Sequence, residues 1–303
     1  MPAKVTIIMN CHNGEEYLKE AIDSIFSQSF TDWVILFFDN NSKDTSADIA
    51  NSYDDRLVYH HHKDTVSLGH ARNLALEKVD TKYVSFLDCD DLYCPDKLQS
   101  QIIPMEEMDY GLSYGSAKVI DKDGKEIGNS ITRNKSGYIF GNLLDRYEIN
   151  MQSVVMKTSL LRNRKLNFPT HYEYGPDYDL FMRLASETNV LVIKDPIVKT
   201  RIHENSLSRK TYHRVHLELG ETLNSIAEEC PDLREKFSSQ FKNAFSKIKY
   251  YEAISYIHNG NFNIARKILK EIIFKRLEYA VLFFILFMPI SRITILKLLN
   301  RAP

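Results

Sequence analysis

The chain has 303 residues, of which 44% are hydrophobic and 26% are charged, and its formal net charge is −1. A chain of this length and composition can bury a sizeable core, which excludes an intrinsically disordered protein. The nearly neutral charge gives no reason to expect a nucleic-acid partner. The four cysteines form no C-x-x-C pair, so they predict neither a disulfide framework nor a zinc site and favour a cytoplasmic location.

Short apolar runs alternate with helical periods through the first part of the chain. The predicted strands are Val5–Met9, Val34–Phe38, Leu57–His61 and Tyr83–Leu87. The predicted helices are Glu15–Gln28, a helix that Ser42 caps and that runs through Asn51, and Leu68–Val79. Alternating strands and helices imply parallel strands joined by crossover helices, so the sequence predicts an α/β fold with both faces of the sheet covered.

The second half of the chain changes from a mixed pattern to a helical one. The mixed part contains a hairpin turn at Asp121–Lys125 and a helix at Tyr178–Ser186. In the helical part, two long periodic segments flank Asn259–Asn261 and predict a helical hairpin. We therefore expect two domains, a mixed α/β domain over residues 1–210 and an all-helical extension over residues 211–303.

Three carboxylates crowd the end of the fourth predicted strand, in the run Asp88-Cys89-Asp90-Asp91. Unpaired, they would repel one another, so a cation is their natural partner. Oxygen ligands suit Mg²⁺ or Mn²⁺, which typically share their coordination with substrate phosphates. A solvated acidic turn that caps the next helix would also explain the run, and the spacing alone does not decide between the two.

Four segments carry a family resemblance, in this order along the chain. They are Val5–Leu18 with Ala21–Ser29, Phe38–Thr45, Gly69–Asn73 with Tyr83–Asp91, and Asp177–Arg183 with His203–Ser208. Together they resemble the inverting glycosyltransferases of family 2, which share a nucleotide-sugar-binding α/β fold called GT-A. The resemblance implies a GT-A-type, mostly parallel central sheet flanked by helices.

The resemblance also implies which residues bind the nucleotide-sugar donor. Asp39 would hydrogen-bond the base, Arg72 would contact the diphosphate or orient the acidic loop, and Asp88 would meet the ribose or the donor sugar. The implied lining of the nucleotide pocket is Asn10, Cys11, His12, Asn13 and Glu15. Uridine is the base that the resemblance favours.

The metal and the catalytic base follow from the same resemblance. Asp90 is the implied ligand of Mn²⁺ or Mg²⁺, with Asp91 serving the metal or the loop and His203 near the metal or diphosphate. Asp177 matches the family's catalytic base, and Asp179 is the alternative. We favour Asp177 because the sequence continues from Asp179 into a helical face.

Two other features invite a binding role. His60, His61 and His62 are adjacent on a predicted strand, so they point to alternate faces and do not predict a metal site. In the tail, residues 266–303, eight Lys and Arg side chains stand against two Glu and flank the apolar run 279–290. That run is too short to span a bilayer, and its basic flanks favour a peripheral contact with an anionic membrane. A core helix with solvated charges is the alternative.

The leading functional prediction is a non-processive inverting glycosyltransferase that acts on a glycan or glycolipid acceptor. The expected setting is bacterial surface polysaccharide or lipopolysaccharide synthesis, at the cytoplasmic face of the inner membrane. A processive synthase would carry Gln-x-x-Arg-Trp and several membrane helices, and a nucleotidyltransferase would need a glycine-rich basic loop, where the chain has acidic Asn13–Glu16. A non-catalytic nucleotide-sugar-binding or scaffolding subunit is the remaining alternative. The sequence predicts neither the donor sugar nor the oligomeric state.

Overall fold

The computed structural model describes residues 3–203, 214–288, 291, 294 and 295. Its strands are β1 Val5–Cys11, β2 Trp33–Asp39, β3 Leu57–His61, β4 Tyr83–Phe86, β5 Leu92–Tyr93, β6 Leu112–Ile120, β7 Glu126–Ser130, β8 Val155–Lys157 and β9 Val190–Arg201. The helices of the mixed part are α1 Glu15–Phe26, α2 Ser46–Asn51, α3 Leu68–Leu76, α4 Lys97–Glu107, α5 Phe140–Asp145, α6 Thr158–Arg164 and α7 Pro176–Glu187. The later helices are α8 Val215–Glu229, α9 Pro231–Lys236, α10 Ser238–His258, α11 Phe262–Ile272 and α12 Leu277–Ile285.

These strands form one sheet in the order β3-β2-β1-β4-β8-β6-β9-β5, with β7 on the outer side of β6. The half from β3 to β4 is parallel throughout. Beyond β4 the pairing is mixed, since β8 is antiparallel to both of its neighbours while β6 and β9 are parallel. The predicted α/β fold with a central sheet and a helical C-terminal region is confirmed, and the strictly parallel part is the N-terminal half.

The first half of the sheet follows directly from its apolar runs. Every residue of β1 except Asn10 is buried, as expected for a strand covered on both faces. Helix α1 buries Leu18, Ala21, Ile22 and Ile25, which recur at helical spacing and join the core of β1 and β2.

One predicted helix start is wrong. Helix α2 begins at Ser46 with Thr45 at the capping position, three residues after the cap predicted at Ser42. The hydroxyl of Ser42 instead accepts a hydrogen bond from the backbone N–H of Asn13 at 3.0 Å. Ser42 therefore joins two loops at the edge of the sheet.

The chain divides into two compact units. One comprises Met1–Leu143 with Tyr147–Ser206 and contains the whole sheet. The other comprises Leu144–Arg146 with Leu207–Pro303 and contains helices α8 to α12. Within it, α10, α11 and α12 share an apolar core of Ala253, Ile257, Ala265, Leu269, Tyr279 and Leu282. No helix in the described part of the chain is both long and apolar enough to cross a membrane.

Candidate active site at the carboxyl edge of the parallel strands

The carboxyl ends of β1, β2 and β4 lie side by side, because these strands are parallel neighbours. Cys11 pairs with Asp39 in the β1–β2 register, and Ile8 pairs with Phe86 in the β1–β4 register. The polar loops that follow the three strands therefore meet at one edge of the sheet. This is the edge at which open α/β sheets bind ligands.

Two predicted nucleotide-binding side chains tie the first loop to the second. Asn13 Oδ1 accepts a hydrogen bond from the backbone N–H of Lys43 at 2.7 Å. Glu15 Oε2 accepts from the backbone N–H and the hydroxyl of Thr45, at 2.9 and 2.6 Å. Both side chains thus fix the loop after β2 against the loop after β1 at this edge of the sheet.

The other predicted nucleotide-binding residues lie at the end of β1. Cys11 is 2% exposed and belongs to the core, and the His12 ring Nδ1 lies 2.9 Å from the carbonyl oxygen of Asn40. Asn10 differs from both, because its buried Nδ2 finds no hydrogen-bond partner in the described part of the chain. A buried donor in this state is costly unless a ligand or water accepts its hydrogen bond. Asn10 is therefore the member of this group with a donor available to a ligand.

Asp39 is a rigidly held carboxylate at the end of β2. It is 1% exposed, its Oδ1 accepts from the backbone N–H of Ser42 at 2.8 Å, and its Oδ2 accepts from the Tyr59 hydroxyl at 2.6 Å. Burial acts to raise the pKa of Asp39, but the hydrogen bonds from Tyr59 and Ser42 outweigh it and lower the pKa. The side chain is thus a fixed acceptor, and Tyr59 is a partner that the sequence did not identify.

Asp88 is clamped between two buried side chains. The guanidinium of Arg72 lies 3.2 Å from its Oδ1, and Gln152 Nε2 donates to its Oδ2 at 2.6 Å. Gln152 Oε1 also accepts the backbone N–H of Asp88 at 2.8 Å, so the amide grips the residue at two points. Arg72 and Gln152 are 4% and 5% exposed, which leaves the clamp little freedom. Sequence reasoning found Arg72 and missed Gln152.

Asp90 faces His203. The imidazole Nε2 lies 2.8 Å from Asp90 Oδ2, and the two side chains are 17% and 33% exposed, His203 being the more covered. Burial and the nearby charge of Asp88 raise the pKa of Asp90, while the contact with His203 acts in the opposite direction. The structure therefore brings these two predicted metal-side residues together.

Asp91 has a different environment from its neighbours. It is 4% exposed, and its Oδ1 accepts the backbone N–H of Arg201 at 2.7 Å. The Arg201 side chain donates from Nε to the carbonyl oxygen of Asp90 at 2.9 Å and pairs with Glu20 at 2.6 Å. Burial, and then the charge of Asp90, raise the pKa of Asp91. Arg201, which sequence reasoning missed, thus fastens the acidic loop to the end of β9.

Asp177 and Asp179 both lie in the first turn of α7, in distinct surroundings. Asp179 is 6% exposed and pairs with Arg183 on the same helix at 2.9 Å. Burial raises the pKa of Asp177, the charge of Arg72 opposes that rise, and the charge of Asp88 adds to it. Asp177 is therefore close enough to the clamp on Asp88 to sense both of its charges, whereas Asp179 is committed to Arg183.

Tyr147 lies beside Asp177 without having been predicted. Its ring packs edge-on against Tyr178 with centroids 4.7 Å apart, and its buried hydroxyl finds no hydrogen-bond partner among the described residues. Burial and the nearby charge of Asp177 raise the pKa of the Tyr147 hydroxyl. A buried polar atom without a partner is costly unless a water or a ligand group completes its hydrogen bonds.

The donor atoms at Asp90 and His203 fit a divalent cation. In residues 3–203 and the described part of the helical unit, no group of three His, Cys, Asp or Glu could hold a metal. Two protein ligands are enough when water and substrate phosphates complete the coordination shell, which is how Mg²⁺ is commonly bound. A carboxylate suits Mg²⁺ or Mn²⁺, so Asp90 would be the main protein ligand of such an ion, with the neighbouring His203 ring and a diphosphate beside it.

Comparison with known proteins identifies a family whose model, described as glycosyl transferase family 2, matches residues 6–167. An uncharacterized glycosyltransferase of Rickettsia felis is 30% identical over 200 residues, which is 66% of this chain and 33% of the relative. The chain thus matches only about a third of the length of such relatives. The Escherichia coli UDP-Glc:alpha-D-GlcNAc-diphosphoundecaprenol beta-1,3-glucosyltransferase WfgD is 26% identical over 69% of this chain and 81% of its own.

Solved structures share the fold. The mannosyltransferase PcManGT of Pyrobaculum calidifontis, in complex with GDP-Man and Mn²⁺, superposes with a TM-score of 0.63 and 16% identity, over 93% of this chain and 79% of that one. TarS of Staphylococcus aureus, in complex with UDP-GlcNAc, gives a TM-score of 0.59 and 17% identity, over 82% and 81%. At these identities the likeness extends to the fold alone.

Proposed function

The chain belongs to glycosyl transferase family 2, and from that membership we propose that it is a metal-dependent, non-processive inverting transferase of one sugar from a nucleoside-diphosphate donor. The observation that carries the proposal is the clamped Asp88 and the Asp90–His203 pair at one edge of the sheet, with the half-buried Asp177 near enough for the charges of Arg72 and Asp88 to shift its pKa. The transfer reaction has two requirements. The leaving diphosphate must be stabilised, and the attacking hydroxyl needs a base.

The leaving group is the part of the reaction that the acidic loop serves. A departing nucleoside diphosphate gains charge, and a divalent cation at Asp90 and His203 would supply the neutralisation. We propose that Asp88, which Arg72 and Gln152 hold in place, orients the donor's ribose or sugar. We give Asp91 the loop-fastening role, because its oxygen is already used by the backbone of Arg201.

The attacking hydroxyl is the part that Asp177 serves. A base must stand within hydrogen-bond reach of the proton it takes, and a partly desolvated carboxylate is tuned for that work. We propose that Asp177 accepts this proton and that the nearby Tyr147 hydroxyl hydrogen-bonds the acceptor substrate. One base and a direct attack give a single displacement, which inverts the anomeric carbon. Asp179 is the weaker candidate because it is paired with Arg183.

We propose a uridine diphosphate sugar as donor and a glycolipid as acceptor. For the uracil ring, Asp39 at the end of β2 provides a hydrogen-bond acceptor, and Asn10 at the end of β1 provides a donor. Two similar proteins support these substrates, since WfgD is a glucosyltransferase that acts on a GlcNAc-diphosphoundecaprenol and TarS has been solved in complex with UDP-GlcNAc. The setting we propose is surface polysaccharide synthesis at the cytoplasmic face of the inner membrane. A non-catalytic scaffold would have no use for the proposed base Asp177 beside Asp88, the fixed carboxylate that orients the donor.

A thermal-shift screen of nucleotide sugars, with and without Mn²⁺, tests the proposal. A donor present at 100 times its dissociation constant adds about 2.7 kcal/mol to stability, or about 5 to 10 °C for a unit of this size. We expect a UDP-sugar to give that shift with Mn²⁺ in the native chain and in Asp123→Asn, whose carboxylate is exposed in the β6–β7 turn. The shift should vanish in Asp90→Asn. The absence of a shift with every nucleotide sugar in both conditions would refute the donor assignment.

A further inference from the structure

Helix α12 is apolar on two opposite faces, and only one of them is covered. Tyr279, Leu282 and Leu286 are 1%, 4% and 3% exposed and belong to the core of the helical unit. Their spacing of three and four residues makes them one face of a helix. A helix that is apolar all round is normally buried all round, so the opposite face calls for a partner.

The uncovered side chains form a continuous stripe. At about 100° per residue, Leu277, Val281 and Phe284 point in nearly the same direction, on the side away from the core, and Met288 follows in the turn after the helix. They are 81%, 48%, 58% and 54% exposed. Phe274, in the turn before the helix, is 99% exposed. We name these five residues the α12 face.

Three exposed lysines lie on the preceding helix α11 and in the turn between α11 and α12. Lys267, Lys270 and Lys275 are exposed and form no ion pair with any residue in the described ranges. The acidic side chains nearby are already engaged, since Glu271 pairs with Lys249 and Glu278 lies 3.5 Å from Arg276. The hairpin of α11 and α12 therefore combines exposed apolar area with exposed cations that have no acidic partner among the described residues.

We propose that the α12 face inserts into the interfacial region of an anionic lipid bilayer. The helix spans nine residues, about 13 Å, which is far short of a hydrocarbon core and suits a helix that lies in the plane of the interface. Phe274 and Phe284 enter the acyl boundary, while the three lysines meet anionic headgroups. The α12 face would be the surface through which the chain reaches the membrane location proposed above. The inference itself is independent of the proposed sugar transfer, because it is argued from this helix and its neighbouring charges.

The charges favour a lipid over a second copy of the chain. A second copy docked through its own α12 face would offer no free carboxylate to Lys267, Lys270 and Lys275, because that face is apolar and the nearby Glu271 and Glu278 are paired. An anionic leaflet instead neutralises them, at a gain that grows with each added cation. Charge complementarity therefore selects the bilayer.

Co-sedimentation with vesicles tests the proposal. The full chain should bind vesicles that contain phosphatidylglycerol in phosphatidylcholine, and bind pure phosphatidylcholine at least about tenfold more weakly. The combined variant Phe274→Ser, Leu277→Ser and Phe284→Ser should lose at least about tenfold in partitioning. Replacing the three lysines with glutamine should weaken binding to the anionic vesicles and abolish its salt dependence. The matched control is Ile127→Ser with Ile131→Ser, at side chains that are 55% and 52% exposed near β7.

Three results would overturn the proposal. These are equal binding to both vesicle types, undiminished binding of the serine variant, and dimerisation in lipid-free buffer that the serine variant abolishes in sedimentation velocity. The last result would identify a second copy as the partner. None of these measurements involves sugar transfer, so failure here is separate from failure of the proposed function. The thermal shift produced by a nucleotide sugar should be unchanged in the serine variant, which also shows that it is folded.

Discussion

At the scale of the residue, three neighbouring carboxylates acquire three different environments. Asp88 is clamped, Asp90 faces an imidazole, and Asp91 is buried against a backbone N–H. The sequence predicts the cluster, and the family resemblance implies separate roles for the three residues, but neither identifies the partners Gln152 and Arg201, which are distant in sequence. Neither partner belongs to a local pattern, so only the folded sheet reveals them.

The first prediction at this scale concerns the proposed base. Asp177→Asn should reduce kcat by about 10²- to 10⁴-fold, which is the usual contribution of a positioned base, and should leave the dissociation constant of the donor unchanged. Asp179→Asn should instead weaken the pair with Arg183 and lower the melting temperature, with a much smaller effect on kcat. An unchanged transfer rate in Asp177→Asn would remove Asp177 from the mechanism.

The second prediction is the pH dependence of the rate. Burial raises the pKa of Asp177, and a base must be ionised to act. The rate should therefore fall as pH drops through an apparent pKa above the ordinary aspartate value of about 4. The charge of Arg72 lowers the pKa of Asp177, so Arg72→Gln should move that acid limb to higher pH. A shift to lower pH in rate–pH profiles would contradict the assignment.

The third prediction concerns Gln152. Gln152→Ala removes both hydrogen bonds that fix Asp88, and we expect a loss of about ten- to a hundredfold in catalytic efficiency through weaker donor binding. Gln101→Ala is the matched control, since Gln101 is also fully buried and donates to Ser113 and Ser153. Both variants should be destabilised by about 1–3 kcal/mol. Equal donor affinity in the two variants would show that Gln152 is merely structural.

At the scale of the element, local patterns predict the parallel half of the sheet well and the other half poorly. The apolar runs at 5–9 and 57–61 give β1 and β3 because each strand is continuous and bounded by polar residues. Strand β5 has only two residues and exists through its pairing with β9. No periodicity in the sequence predicts long-range pairing of this kind.

The prediction at this scale concerns the seat of α3, the helix that carries Arg72. A Cβ added at Gly69 would lie 2.6 Å from the backbone oxygen of Pro169, where nothing flexible can move aside. Gly69→Ala should therefore destabilise the chain by about 1–3 kcal/mol in urea unfolding. Gly220→Ala, at a helical glycine whose nearest atom would be 3.5 Å away, should stabilise by up to about 1 kcal/mol. The same sign for both variants would contradict the packing described for α3.

At the scale of the whole molecule, the site depends on contacts between residues far apart in the chain. Asp88 meets Gln152, Asp90 meets His203, and Arg201 meets Glu20 across the sheet. The fold class and most candidate residues could be predicted, since they lie at strand ends where ligands bind in such sheets. The partners of those residues could not, because they depend on the order in which nine strands pair.

In the proposed mechanism, a nucleoside diphosphate and a divalent cation bind together at the acidic loop. Isothermal titration of UDP, with and without Mn²⁺, tests it in the native chain, in Asp90→Asn and in the surface control Asp123→Asn. We predict that binding in the native chain and in the control is at least about tenfold tighter with Mn²⁺, and that Asp90→Asn loses this dependence. Equal affinity with and without Mn²⁺ in the native chain, or an undiminished metal effect in Asp90→Asn, would contradict the claim.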